Sequence, residues 1–285
     1  MKSYQEFIQS HTVSADGTKI GFRFIGNGPA VLILHGAMQS SHHFVKLALF
    51  LAADFTVYLM DRRGRGASEN GPKASLGVQT EVQDLCAVLE KTGRSFIFGH
   101  SSGGILALEA ALQSDLVQKV AVYEPPYSLV KPAKMKWVMR LKREINENRL
   151  DHAMVTFLRG VEANIPKFIP RFILVRMVRN WIQKSEVSSN NQGCLRVLIP
   201  TSLSDVQIVS DTAGSLERFS SLKAEVLLLG GNLSPKFLKR NIEALEKILK
   251  YSKKVIFNGL DHSGPDSGDP GQVAKELLRF FKKAR

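Results

Sequence analysis

Cysteine is scarce here: Cys86 and Cys194 are the only two among 285 residues, and neither stands at a metal-ligand spacing from another Cys or a His. Both are read as reduced structural thiols, since cysteine is a common core residue. Long apolar runs are missing as well. Stretches such as Ala30–Leu34 and Val226–Leu229 are strand-sized, far below the roughly 20 residues that cross a bilayer, so no membrane span is expected. The N-terminus has Glu6 where a secretory signal needs its apolar run, and no small-residue cleavage site follows, which makes a cytoplasmic protein the expectation. A Walker loop is absent, and Gly64-Arg65-Gly66 is followed three positions on by Glu69, so the dinucleotide fingerprint is incomplete. No metal or organic cofactor is expected.

Negative charge is in short supply: 39 Lys plus Arg face 26 Asp plus Glu, a formal net charge of +13. The excess is local, because between Tyr127 and Pro200 there are 14 basic against 5 acidic residues, or +9 of the total. Such a segment could favour anionic substrates or an acidic surface through its field, although solvated helix faces are the commoner source of such charge. The basic loop Arg62-Arg63-Gly64-Arg65 lacks interleaved aromatics and any nucleic-acid module, so it is read as a solvated or structural loop and no nucleic-acid partner is expected.

What is present is an alternation of buried-strand and helix patterns. The strand segments are His11–Ala15, Lys19–Ile25, Ala30–Leu34, Phe55–Met60, Ser95–Phe98 and Lys119–Tyr123, then Glu225–Leu229 and Lys254–Phe257. Helical patterns lie between them at Phe44–Ala52, Val78–Lys91 and Ile105–Gln113, and later at Asp211–Phe219, Pro235–Leu249 and Gln272–Lys282. The order predicts an α/β fold with a mostly parallel sheet and helices on both faces. From Pro125-Pro126 the rhythm turns wholly helical, with amphipathic stretches at Lys134–Glu147, Leu150–Ala163 and Phe168–Lys184. The expected organisation is therefore a core of residues 1–126 and 204–285 carrying a helical cap insertion of residues 127–203. The amphipathic Phe168–Lys184 stretch could touch lipid, but covering a pocket is the expected use, with Trp137 and Trp181 as pocket or cap-core residues.

Chemistry concentrates at the ends of strands. Gly99-His100-Ser101-Ser102-Gly103, between a strand and a helix, has the form of a nucleophile elbow, in which small flanking residues let the chain turn sharply and leave the serine exposed. A serine at a helix N-terminus also faces free backbone N–H groups suited to a developing oxyanion. An alcohol needs a base within hydrogen-bond reach, and histidine suits that task near neutral pH. Of seven histidines, His262 in Gly259-Leu260-Asp261-His262-Ser263 follows the last strand, where its loop would project from the same sheet edge as the elbow.

With these motifs in order, the sequence resembles the alpha/beta-hydrolase fold superfamily in its serine hydrolase branch. The resemblance rests on the strand before His35-Gly36, the loop Asp61-Arg62-Arg63-Gly64-Arg65-Gly66-Ala67-Ser68, the elbow at Ser101 and the terminal Gly259-Leu260-Asp261-His262. It covers nearly the whole chain and is weakest across the cap. It implies an alpha/beta-hydrolase fold, Ser101 as nucleophile, His262 as base and the backbone N–H groups of Ala37 and Ser102 as oxyanion hole. One departure stands out. Family members usually carry an acid just after the strand matched by Val226–Leu229, but this chain has Gly230-Gly231-Asn232-Leu233-Ser234-Pro235 there. Some relatives, haloalkane dehalogenases among them, supply the acid one strand after the elbow helix, and that position is Glu124. Asp261 is a weaker choice because it adjoins His262, and Asp61 is expected to hold its own loop. The function implied is hydrolysis of a small ester or related acyl substrate. Cofactor-free carbon–carbon hydrolysis, lactone opening and peracid formation are alternatives on the same fold, and a weakly catalytic ligand-binding sensor is the alternative of another class. Serine at the elbow argues against dehalogenase or epoxide-hydrolase chemistry, which uses aspartate there.

Overall fold

The structure, a computed structural model, describes residues 6–72, 77–128, 136–163, 165–166, 168–188 and 194–283. Its centre is an eight-stranded sheet of β1 (Ile8–Val13), β2 (Lys19–Ile25), β3 (Ala30–Leu34), β4 (Thr56–Met60), β5 (Ser95–His100), β6 (Val117–Tyr123), β7 (Glu225–Gly231) and β8 (Ser252–Phe257). The spatial order is β1-β2-β4-β3-β5-β6-β7-β8. The β1–β2 and β2–β4 pairs are antiparallel, and every pair from β4 to β8 is parallel. This is the expected α/β architecture, in which helical crossovers cover both faces of the sheet.

Alternation along the central strands sends residues to opposite sides. Leu32 and Leu34 join one apolar cluster with Ile97, Val120, Val122 and Leu228, beneath α2 (Val78–Thr92), α3 (Ser102–Gln113) and α8 (Lys236–Ile248). Val31 and Ile33 join the other with Val57, Phe98, Ala121 and Leu227, beneath α1 (Val45–Leu51) and α9 (Pro270–Lys282). Because both faces are buried, these strands read as unbroken apolar runs in sequence. Each fully buried Val, Leu or Ile contributes about 1.5–3 kcal/mol relative to exposure.

A third cluster belongs to the helices α4 (Lys136–Asn146), α5 (Leu150–Gly160), α6 (Arg171–Ser188) and α7 (Leu195–Asp211). It includes Met38, which lies in the loop after β3, so the cap is sealed onto that loop by apolar contact. Trp137 packs against Phe157 of α5 among these helices. Trp181 does not: it is 51% exposed, because α6 turns Leu174, Val175, Val178 and Ile182 inward instead. Residues 203 and 204 lie in the middle of α7, which continues to Asp211 and packs on α2 and α3. The helix expected over Asp211–Phe219 is replaced by a turn at Gly214 (φ 69°) and a short 3-10 segment, Leu216–Ser221. Glycine in that left-handed conformation ends α7 without steric penalty.

Candidate active site

β5 delivers Ser101 to the carboxyl edge of the sheet. The residue caps α3 with φ 53° and ψ −126°, a conformation that L-residues rarely hold. Its surroundings enforce the turn. Ser101 N–H donates to the Tyr123 carbonyl at 2.9 Å, and the Ser101 carbonyl accepts from Gly104 N–H at 2.8 Å. A Cβ on Gly103 would stand 2.6 Å from the carbonyl oxygens of Leu34 and His35, which is why the crowded turn needs glycine at that flank. Ser101 is only 9% exposed.

β6 ends at Tyr123, and the next residue, Glu124, also has a positive φ, 49°. Glu124 N–H bonds the Leu229 carbonyl at 3.0 Å, locking it to β7. Its carboxylate is fully buried and faces two donors. Oε1 accepts from Gly231 N–H at 2.7 Å, and Oε2 lies 2.7 Å from His262 Nδ1. Gly231 thus stands where the family's usual acid is missing and contributes its backbone N–H instead. A side chain there would run into the Leu260 carbonyl. An ionised Glu124 places the imidazole proton on Nδ1 and leaves Nε2 with a free lone pair.

The His262 loop is held from two further sides. The Tyr123 hydroxyl donates to the Asp261 carbonyl at 2.7 Å, and His100 Nε2 lies 2.9 Å from the His262 carbonyl. The rings of His100 and His262 are 4.7 Å apart, so the imidazole sits beside the residue that precedes Ser101. Among the described residues no hydrogen bond joins the Ser101 hydroxyl to the imidazole directly. Bonds of that kind are often long in ligand-free enzymes and tighten on substrate binding. Asp261 turns away, its Oδ1 accepting from the backbone N–H and hydroxyl of Ser263.

Gly36 packs so closely on the elbow that a Cβ there would lie 2.7 Å from Ser101 Cβ. Ser102 opens α3 directly after Ser101, and Ala37 follows Gly36 in the chain. Gln39 ties the two segments together: its Oε1 accepts from Gly36 N–H at 2.8 Å and lies 3.0 Å from His100 Nδ1, while its Nε2 donates to Asp266 at 2.6 Å. Burial, with the neighbouring His262, lowers the His100 pKa to about 3. The neutral ring has one proton between two acceptors, the His262 carbonyl at Nε2 and Gln39 Oε1 at Nδ1.

The basic loop is structural rather than solvated. Arg62, Arg63 and Arg65 are all buried. Arg62 grips Glu81 with Nε at 2.6 Å and Nη2 at 3.0 Å, and reaches Asp205 of α7 at 2.7 Å; Arg65 bonds the other Asp205 oxygen at 2.8 Å. Ser102 Oγ donates to Asp205 at 2.6 Å and accepts from Arg62 at 3.0 Å. Burial alone would raise the Asp205 pKa, but Arg65 and Arg62 outweigh it and hold the carboxyl below its ordinary range. α7 is thereby tied through Asp205 to the first residue of the elbow helix. His35 belongs to this scaffold: Nδ1 donates to the Gly36 carbonyl and Nε2 accepts from Arg62 N–H, while burial and the two arginines push its pKa well down. Gln39, Tyr123, Asp205 and Asp266 carried no local signal; only Tyr123, adjoining Glu124, stood beside a residue already singled out.

Comparison with known proteins agrees with this architecture. The model of the alpha/beta hydrolase family matches residues 31–276. A solved alpha/beta hydrolase from Sphaerobacter thermophilus superposes with a TM-score of 0.79 at 28% identity, covering 96% of this chain and 100% of that one. The magnesium-chelatase 30 kDa subunit of Rhodobacter capsulatus is 34% identical over 99 residues, 34% of each chain. N-formylmaleamate deformylase of Pseudomonas putida is 30% identical over 139 residues, 46% of this chain and 52% of that protein. The matched stretches span between a third and about half the length of these two relatives. With the family model matched over most of its length and the sheet, elbow and terminal histidine loop in place, the chain belongs to the alpha/beta hydrolase family.

Proposed function

We propose that the protein is a serine hydrolase acting on a small ester or related acyl substrate. Ser101 Oγ attacks the carbonyl, His262 Nε2 takes the hydroxyl proton and returns it to the leaving group, and water resolves the acyl-enzyme by the same route. Glu124 holds the imidazole in the required tautomer and stabilises its protonated form. The N–H groups of Ala37 and Ser102 receive the oxyanion, a contribution worth about 3 kcal/mol per donor in related chemistry. The observation that carries this reading is the 2.7 Å contact between a fully buried Glu124 carboxylate and His262 Nδ1, since a triad needs a buried carboxylate aimed at its imidazole in this way. The near-burial of Ser101 favours small substrates, and the name of the deformylase relative, which denotes removal of a formyl group, is in keeping with acyl chemistry.

The test is a fluorophosphonate probe. Covalent labelling confined to Ser101 and lost in His262→Ala is expected; folded protein that takes no label would instead be a ligand-binding sensor. A panel of nitrophenyl esters of varied chain length, run beside lactones and a peracid assay, then separates ester hydrolysis from the alternative chemistries of the same fold.

A further inference from the structure

The outer side of α6 is apolar where solvent would ordinarily select polar residues. Thirteen large hydrophobic side chains are exposed among the described residues, and five of them fall between Phe168 and Trp181. Phe168 is 85% exposed, Phe172 73% and Met177 60%. Ile173, Met177 and Trp181 recur every four residues, so they form one ridge along the helix. The opposite side of α6 is already occupied, with Leu174, Val175, Val178 and Ile182 buried in the cap core. Isolated exposed hydrophobics need no explanation, but a contiguous set on one element marks a contact surface.

Charge identifies the partner. α6 carries Arg171, Arg176, Arg179 and Lys184 against a single acid, Glu186. Exposed Arg176 and Lys184 are interleaved with the apolar ridge. At the start of the helix Arg171, ion-paired with Glu144 as Arg140 is, joins Arg140, Arg159 and Glu162 in lining a concavity of about 570 Å³ beside Trp137. The surrounding segment holds most of the protein's positive charge, +9 between Tyr127 and Pro200. A second copy of this chain is a poor occupant, because an isologous contact would set this basic face against itself. Aromatic and aliphatic side chains flanked by cations are instead the composition of helices that lie in the interface of an anionic bilayer. No helix among the described residues is long and apolar enough to cross one.

We propose that the outward face of α6, with Phe168 ahead of it, docks the protein on an anionic phospholipid surface. The apolar ridge enters the acyl boundary, and Arg176 and Lys184 meet the phosphates. This inference is independent of the chemistry at Ser101.

Trp181 reports on it directly, since the chain has only one other tryptophan and Trp137→Phe leaves Trp181 as the single indole. The full-length Trp137→Phe protein is mixed with vesicles of phosphatidylcholine alone, or with about one third phosphatidylglycerol, at low and high salt. The expected result is a blue shift of Trp181 emission and co-sedimentation with the anionic vesicles only, weakened by salt. In that background Phe172→Ser with Met177→Ser, and separately Arg176→Glu with Lys184→Glu, should each lower partitioning about tenfold or more while circular dichroism and melting stay unchanged. Three outcomes overturn the proposal: folded protein that ignores anionic vesicles, equal binding to neutral and anionic vesicles, or sedimentation as a dimer that buries Trp181 without lipid.

Discussion

Glu124 offers two oxygens to two donors, Gly231 N–H and His262 Nδ1, and this fixes what its amide would do. Glutamine has one acceptor oxygen, so in Glu124→Gln one of the two contacts fails. Keeping the backbone bond turns the amide NH2 toward the imidazole and forces the proton onto Nε2, the wrong tautomer for a base. Turnover should fall by about 10⁴-fold, the effect of the equivalent amide in a serine protease, with the fold retained. Steady-state kinetics on protein verified by circular dichroism measure this, and near-native turnover would remove Glu124 from the triad. Here sequence reading went far: Ser101, His262 and Glu124 were all singled out, and the last two are in direct contact. What could not be read was why the acid had moved. Gly230-Gly231 looks like a deficit in sequence, but in space it is the room and the N–H donor that the Glu124 carboxylate requires.

At the scale of elements, the junction of α7 with the elbow decides how the cap is held. Arg62 and Arg65 are fully buried with Glu81 and Asp205, and every member of the cluster has a charged partner. Asp205→Asn keeps the shape and removes a charge, leaving two buried guanidinium groups with one carboxylate between them. Breaking a buried ion pair in this way costs about 3–5 kcal/mol, and the urea midpoint should fall accordingly. An unchanged midpoint would show that the cluster does not anchor α7. This junction was invisible in sequence because its members lie at positions 62, 65, 81, 102 and 205, far apart along the chain. Pro200 within α7 and the buried polar residues beyond it also hid the continuity of the helix from a periodicity reading. The strands were far easier, since an apolar run buried on both faces announces itself. For α6 periodicity was ambiguous in kind: two apolar faces compete, and only packing shows that Leu174, Val175, Val178 and Ile182 go inward and Trp181 outward.

For the whole molecule, buried histidines set the response to acid. His35 and His100 are held below the ordinary histidine range chiefly by burial, as are His42 and His43 to a lesser degree. A histidine whose pKa is lowered by folding binds fewer protons folded than unfolded. Its stabilising contribution is complete above about pH 6.5 and is lost as pH falls below that value. Asp61, Asp84 and Glu109, which burial raises, act in the opposite sense from about pH 4 upward and soften the decline at its acid end. Urea unfolding followed from pH 8 downward should therefore show a plateau and then a fall that begins near 6.5, about the ordinary histidine pKa. Stability that holds constant to pH 5 would show that these rings are protonated in the fold.

With the His262 contact made by Glu124 after β6, the turn after β7 contributes one N–H, that of Gly231, to the same carboxylate. Asn232 still closes that turn onto Asn258 and Gly259, but the Leu233 side chain points outward, 58% exposed. A spin label or fluorophore carried on a cysteine at this position stands beside the imidazole loop without entering it, and could watch that loop during turnover.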